Sequence, residues 1–418
     1  MPKNKRTVFY RRVRLNDLHQ ISRDEFELAC GICDTIKNIV DHRDDYIKRY
    51  NIDPEFAYPD ANWSKDGDND FYDAYRHVLK KEYNIINILR FFTQSFTGYQ
   101  LRSLSRSEGK KSVEPIPKNL DDILDKSANT PDEPIHKYIA ITKSKFLPNY
   151  LVCPPKKILG EIGWNINVNT VNSDTYTNQE HINTLYETGI IDKLRHLSEK
   201  GQNINILEIG SGYGGLAYHL KSIVPQANYY LCDLPESLLF SSIYLSISSP
   251  QFKSIIYDGT DKSILTQDNS AFKFVPNYML DDLVESKYKI DLVINTISLA
   301  EMSEKQIHDY SEKIKDMIGD DGIFFEQNAI FDYSIKNLKT SLSEFFPYRE
   351  TLVAKSVSLF KREDFADIWS NQPIDKIIAP SFRPFRSSAW KIYWIGYWLT
   401  NWSFYKAILH RVKKRAFK

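Results

Sequence analysis

One stretch constrains this chain more than any other: the apolar run Ile206-Leu207-Glu208-Ile209 passes straight into Gly210-Ser211-Gly212-Tyr213-Gly214-Gly215 and then Leu216. Glycines allow a left-handed turn and let backbone approach a ligand with no Cβ in the way. A helix starting directly behind such a turn adds unpaired N–H donors, so the junction suits a nucleotide-like ligand. The bland alternative is a glycine-rich turn that serves only strand–helix packing.

Around this junction the chain alternates regularly. Apolar runs at 205–209, 229–232, 290–294 and 322–325 are separated by helical stretches at 216–224, 236–247 and 305–318. Strand and helix in that order predict an α/β, Rossmann-like sheet with helices on both faces. The third strand has two candidates, 254–257 ending at Asp258 and 272–275 ending at Pro276; spacing from the second strand favours the former. Two β-prone runs, 349–354 and 356–361, are expected to close the sheet as an edge pair.

A chain of 418 residues with 42% hydrophobic content exceeds what one such domain needs. Residues 1–135 read as a mainly helical front section with a polar linker. Within it lie helices at 25–40 and, as the longest, 73–103, where Val78, Tyr83, Ile86, Leu89, Phe92 and Phe96 recur near helical spacing. Residues 136–200 read as a helical lead-in, 201–365 as the cofactor domain and 366–418 as a basic, aromatic tail. Of the four cysteines only Cys30 and Cys33 are close, and without a second Cys or His pair they read as ordinary thiols of a reducing cytoplasm. Asp66, Asp68 and Asp70 imitate a calcium loop, but Phe71 and His77 stand where glycine and glutamate belong, so the segment reads as an acidic turn.

The net charge of +1 conceals an asymmetry. Six cations in residues 1–14 and nine in 381–418, with no acid in either, leave 40 cations against 54 acids in between, about −14. That body repels nucleic acid while the two ends are drawn to anionic surfaces. The tail segment AWKIYWIGYWLTNWSFYKAIL at 389–409 is too short in its uncharged core to span a bilayer, but aromatics beside His410 and a basic cluster suit a membrane interface. No apolar h-region follows the basic N-terminus, so a cytoplasmic protein, peripheral at the inner membrane face, is expected.

The glycines satisfy two patterns. Gly210, Gly212 and Gly215 fit the dinucleotide GxGxxG; Glu208, Gly210, Gly212 and Gly214 fit the ExGxGxG of methyltransferases. Glu208 is expected to place a carboxylate at the strand end, suited to the ammonium of a methionine moiety and awkward beside a pyrophosphate. Asp233 follows the next strand, where an acid can accept ribose hydroxyls in either cofactor class.

Beyond these glycines, LEIGSGYGGLA at 207–217, CDLPESL at 232–238, DLVINTISLAEMS at 291–303, FFEQN at 324–328 and VNSDTYTNQEHI at 171–182 resemble, in order and spacing, the sugar O-methyltransferases of bacterial polysaccharide and glycosylated natural-product gene clusters. The resemblance covers about 160–362. It implies a class I methyltransferase sheet and methyl transfer from S-adenosyl-L-methionine to a sugar hydroxyl of a surface glycan or its lipid-linked precursor. It favours 272–275 as the third strand. Ser211, Gly215, Leu234 and Asn295 would join the residues above in binding cofactor, with Tyr176 and Gln179 at its methionine end. Such a transfer needs a held hydroxyl and a base. Glu301 is the leading base, with the nearby histidines His181 and His308 as alternatives. Ser298, Glu326 and Asn328 are candidates for the sugar, and carboxylate plus amide oxygens there would also suit Mg²⁺, although no cluster demands a metal. An NAD-dependent sugar oxidoreductase and a non-catalytic partner in glycan assembly are the competing readings.

Overall fold

The computed structural model describes residues 11–12, 17–59, 71–93, 147–161, 163–166, 169–328, 335–352 and 366–383, with isolated positions between 135 and 142. Expectations for the acidic turn at 66–70, the linker, the β-prone run 356–361 and the tail from 384 onward lie outside the described residues.

The front section is helical. Helix α1 (Arg23–Asp41) starts at a capping box between Ser22 and Glu25 and buries Ile32, Cys33, Ile36 and Ile39 at helical spacing. Cys30 and Cys33 are free thiols, and Cys33 Sγ donates to Val78 O within the packed helices. Behind α1 come α2 (Arg43–Tyr50) and the single turn α3 (Pro54–Ala57). The long helix expected at 73–103 is broken within its described part. It is three short pieces, α4 (Phe71–Val78), α5 (Tyr83–Ile86) and α6 (Leu89–Phe92), because Lys81 adopts a left-handed φ of 57°. That turn folds Val78, Ile86 and Leu89 into one core cluster instead of along a single rod.

A small antiparallel sheet, β1 (Arg11–Arg12), β2 (Trp164–Ile166) and β3 (Asn169–Val171), leads to α7 (Ser173–Glu187), capped by Asn172, and α8 (Ile190–Glu199). The main domain then alternates: β4 (Asn205–Ile209), α9 (Gly215–Ile223), β5 (Asn228–Asp233), α10 (Pro235–Ser248), β6 (Ser254–Ile256), α11 (Ser263–Thr266), β7 (Phe272–Pro276), α12 (Leu280–Glu285), β8 (Leu292–Thr296), α13 (Glu304–Ile318), β9 (Ile323–Gln327), α14 (Ile335–Phe345), β10 (Tyr348–Leu352) and β11 (Ala366–Ser370). Strands β4, β5 and β7 are buried along nearly their whole length, which is why they read as continuous apolar runs and not as alternating ones.

The sheet has eight strands in the order β10-β11-β9-β8-β4-β5-β7-β6. The six from β6 to β9 are parallel, and β11 runs antiparallel to both β9 and β10. This is a Rossmann-like α/β sheet, with helices on both faces and a helical section in front. Both candidates for the third strand are strands, but β7 is the one that pairs with β5 while β6 takes the edge. At the other margin the run at 349–354 gives β10, paired with β11. The sheet therefore continues to Ser370, past the boundary expected at 365. Among the described residues no helix is long and apolar enough to cross a membrane.

Candidate functional site

Strand order reverses at β4, whose neighbours β5 and β8 lead the chain in opposite directions. Ligands of open α/β sheets bind outside the carboxyl ends of the strands at such a switch point. The glycine turn lies there. Gly210, Gly212 and Gly214 hold φ of 75°, 54° and 86°, which L side chains rarely adopt. Gly210 N–H donates to Cys232 O at 2.8 Å, and a Cβ on Gly210 would meet Ser298 Oγ at 2.1 Å. The turn is thus seated directly on the segment that follows β8.

Asp233, at the end of β5, accepts Gly212 N–H at 2.8 Å and Leu234 N–H at 2.8 Å. Burial pushes its carboxyl up to about 6, against those two N–H donors. The Ser237 side chain also favours the charged form of this carboxylate. Ser211 Oγ is buried without a hydrogen-bond partner among the described residues, as is Asn178 Oδ1 on α7. The Asn178 amide nitrogen donates to Tyr213 Oη at 3.1 Å and lies 2.5 Å from where a Gly215 Cβ would be. Orphaned buried polar atoms beside the N-terminus of α9 call for ligand groups.

Glu208 stands on β4, two residues before Gly210. It is 3% exposed inside the sheet and accepts Tyr229 Oη–H at 2.7 Å. Burial raises its carboxyl to about 8, which disfavours the ionised ammonium counterion expected from the sequence. Gln179 on α7 donates through its amide to Leu151 O and Asn183 Oδ1, while its Oε1 is buried without a hydrogen-bond partner among the described residues. Tyr176 is half-buried on α7.

The segment after β8 carries a strained residue. Ile297 has φ 76° and ψ −41°, far from where a β-branched residue rests, and is held there by its N–H bond to Gln327 O at 2.9 Å. The same turn is fastened by Asn295, whose amide bridges Ile209 O at 2.9 Å and Ser298 Oγ at 2.5 Å while its carbonyl accepts Leu299 N–H. Asn295 and Ser298 therefore shape the turn through its backbone. Glu301 follows as an exposed residue ending the 3-10 turn Ser298–Glu301, one turn before α13, which is capped by Ser303 and not by Glu301.

The two histidines differ. His181 is buried on α7 beside Phe325, and desolvation lowers it to about 4, so it is neutral. His308 sits on α13 against Phe345 and Glu344 of α14, a helix–helix contact. Glu326 is fully buried and engaged: Asn328 Nδ2 at 2.8 Å, Trp369 Nε1 at 3.3 Å and the Lys339 ammonium all bind it. Asn328 Oδ1 accepts Ala300 N–H at 3.2 Å. Glu326 thus ties β9 to β11 and α14 and Asn328 ties it to the turn after β8, so both side chains suggested for a sugar are already engaged within the protein. Among the described residues no three His, Cys, Asp or Glu converge as a metal site.

Sequence reasoning missed the front section's part in the site. α3 lies against the turn after β7 and the start of α13: Asn277 Nδ2 donates to Phe56 O at 2.6 Å, Gln306 Nε2 donates to Glu55 O at 2.9 Å, and Lys305 pairs with Asp53. Arg43 of α2 bonds Glu236, three residues after Asp233, at 2.7 Å with both side chains buried. Tyr46 and Tyr257 both donate to Asp282. Charged residues scattered through a helical segment carry no sequence signal for such partners.

No family model matches the chain, and no curated protein matches it. Among solved structures it is similar to a protein of Nostoc punctiforme PCC 73102 described as an O-methyltransferase (12% identity, 46% of this chain and 58% of that one, TM-score 0.30). It is also similar to the bifunctional kinase-methyltransferase WbdD (12% identity, 44% and 39%, TM-score 0.30). A third is the precorrin-6y C5,15-methyltransferase of Geobacter metallireducens GS-15 (16% identity, 44% and 84%, TM-score 0.28). The chain spans little more than half the length of the first and less than half of the second. At these TM-scores the functional reading rests on the chain's own geometry.

Proposed function

We propose that this protein is an S-adenosylmethionine-dependent O-methyltransferase acting on a sugar hydroxyl of a surface glycan or its precursor. The observation that carries the cofactor class is the reversed strand β11 set between β9 and β10, which departs from the all-parallel dinucleotide order. The glycine turn and Asp233 then stand where the nucleoside would be held. The sugar acceptor is supported by the resemblance of the blocks between 171 and 328.

S-adenosylmethionine bound there supplies an electrophilic methyl group on a sulfonium. The chain's own residues do the rest. Asp233 takes the ribose, and the amides at the start of α9 with Ser211 and Asn178 take the polar end. Glu301, on the turn directly after β8, is the proposed base for the acceptor hydroxyl; His181, buried and neutral at β9, is the alternative.

Calorimetric titration with S-adenosylhomocysteine and with NAD tests the cofactor. Binding of the former alone is expected. In Asp233→Asn it should weaken about thirtyfold, the worth of a hydrogen bond to a charged acceptor. NAD binding would move the protein to the oxidoreductase reading, and binding of neither would leave a non-catalytic partner. Given an acceptor found by transfer of labelled methyl to glycans, Glu301→Gln should lower kcat about 10²- to 10⁴-fold with little change in KM. An unchanged kcat would remove Glu301 as the base, and the same measurement on His181→Gln would then decide.

A further inference from the structure

Tyr213, the central residue of the glycine turn, points its ring inward and is 5% exposed. The guanidinium of Arg90, from α6 of the front section, lies over that ring with Cζ 3.5 Å from the centroid. Arg90 is fully buried, and all five of its N–H donors are engaged. Nε and Nη2 donate to Glu161 at 2.7 and 3.2 Å, and Nη2 donates also to Asp174 at 2.9 Å. Nη1 donates to Thr93 O and Oγ1 at 2.9 and 2.8 Å. With its edge filled, the planar group has only its face left, and that face is pressed against the turn. Asn172 holds Glu161 at 2.6 Å, and Asn178, one turn after Asp174 on α7, donates to Tyr213 Oη.

We propose that Arg90 is a positioning residue for the ligand-binding turn. It fixes Tyr213, and through it the left-handed Gly212 and Gly214, in the geometry that presents the turn's amides to the ligand. The helical front section is thereby part of the binding site and not an appended domain. A lysine ammonium is a point charge and cannot fill five donor directions while stacking a flat face on the ring. The inference rests on the cofactor reading above only for the identity of the ligand.

The test uses the full chain as wild type, Arg90→Lys, Tyr213→Leu and Tyr213→Phe. Two quantities are read: amide hydrogen exchange at 210–216 compared with β5, and S-adenosylhomocysteine affinity. In Arg90→Lys and Tyr213→Leu, exchange at the turn should quicken and affinity fall, each about tenfold, as loss of a desolvated cation–ring contact implies. Tyr213→Phe keeps the ring and loses only the hydroxyl that Asn178 bonds, so both effects should be smaller than in Tyr213→Leu. Wild-type exchange and affinity in Tyr213→Leu would overturn the proposal, as would a Tyr213→Phe variant as impaired as the leucine one. If S-adenosylhomocysteine binds none of the four, the cofactor reading falls and exchange alone decides. Quickening confined to the turn upholds the positioning role; equal quickening in β5 is general loosening and overturns it.

Discussion

Replacing Arg90 with methionine is expected to destabilise the folded chain by about 3–5 kcal/mol, the loss typical when one partner of a buried ion pair is removed. Glu161 and Asp174 have side chains 1% and 3% exposed, so neither can turn to water when the guanidinium is gone. The burden falls on two carboxylates at once, together with Thr93 O, which loses its donor. Urea unfolding of the two proteins at one pH measures the difference. Adding Glu161→Gln to Arg90→Met should recover part of the loss, because one stranded charge is then neutral, and the double-mutant cycle isolates the coupling. A loss below about 1 kcal/mol would place this network within reach of solvent, as for a surface ion pair.

The second large effect depends on pH. Glu208 lies between Leu231 of β5 and Ile294 of β8, and burial raises its carboxyl from 4.5 to about 8. The folded protein therefore keeps a proton that the unfolded chain releases near 4.5. Its contribution to stability is fully present below about pH 4.5 and is lost as pH rises through 8. Glu208→Gln keeps an acceptor for Tyr229 and titrates nowhere in this window. Relative to that variant, the wild type should lose about 4 kcal/mol between pH 4.5 and 8.5, most of what the shift is worth at about 1.36 kcal/mol per unit. Urea unfolding at pH 5, 6.5 and 8.5 reads this directly. A constant difference across the series would show that Glu208 is ionised in the folded state. That outcome would return it to candidacy as a counterion for a ligand's ammonium.

Glu208 also shows where reading the sequence stops short. Its place in ExGxGxG marks the end of β4, and the strand is found at the expected residues. The motif says nothing about which face of the sheet receives the side chain or whether a neighbouring tyrosine waits for it. Glu326 and Asn328 repeat the lesson at β9. A carboxylate and an amide after a strand look like ligands for substrate until Lys339 and Trp369, distant in sequence, are found to bind the carboxylate. The third strand was ambiguous for a related reason: both candidates are β-prone, and only pairing with β5 distinguishes the interior strand from the edge.

By itself the sequence determined the elements of the cofactor domain. Apolar runs and helical spacing are local, and buried parallel strands must be apolar along their length, so β4, β5, β8 and β9 and the helices α9, α10 and α13 were legible to within a residue or two. The glycines of the turn were legible because left-handed backbone and close packing against Ser298 leave few other residues possible. Only the tertiary structure decided what those elements touch. Insertion of β11 as an interior strand, the break at Lys81, the strain at Ile297 and the meeting of Arg90 with Glu161, Asp174 and Tyr213 join residues up to 123 apart. Such contacts arise from burial and from the satisfaction of donors and acceptors across the whole fold, and no window along the chain contains them.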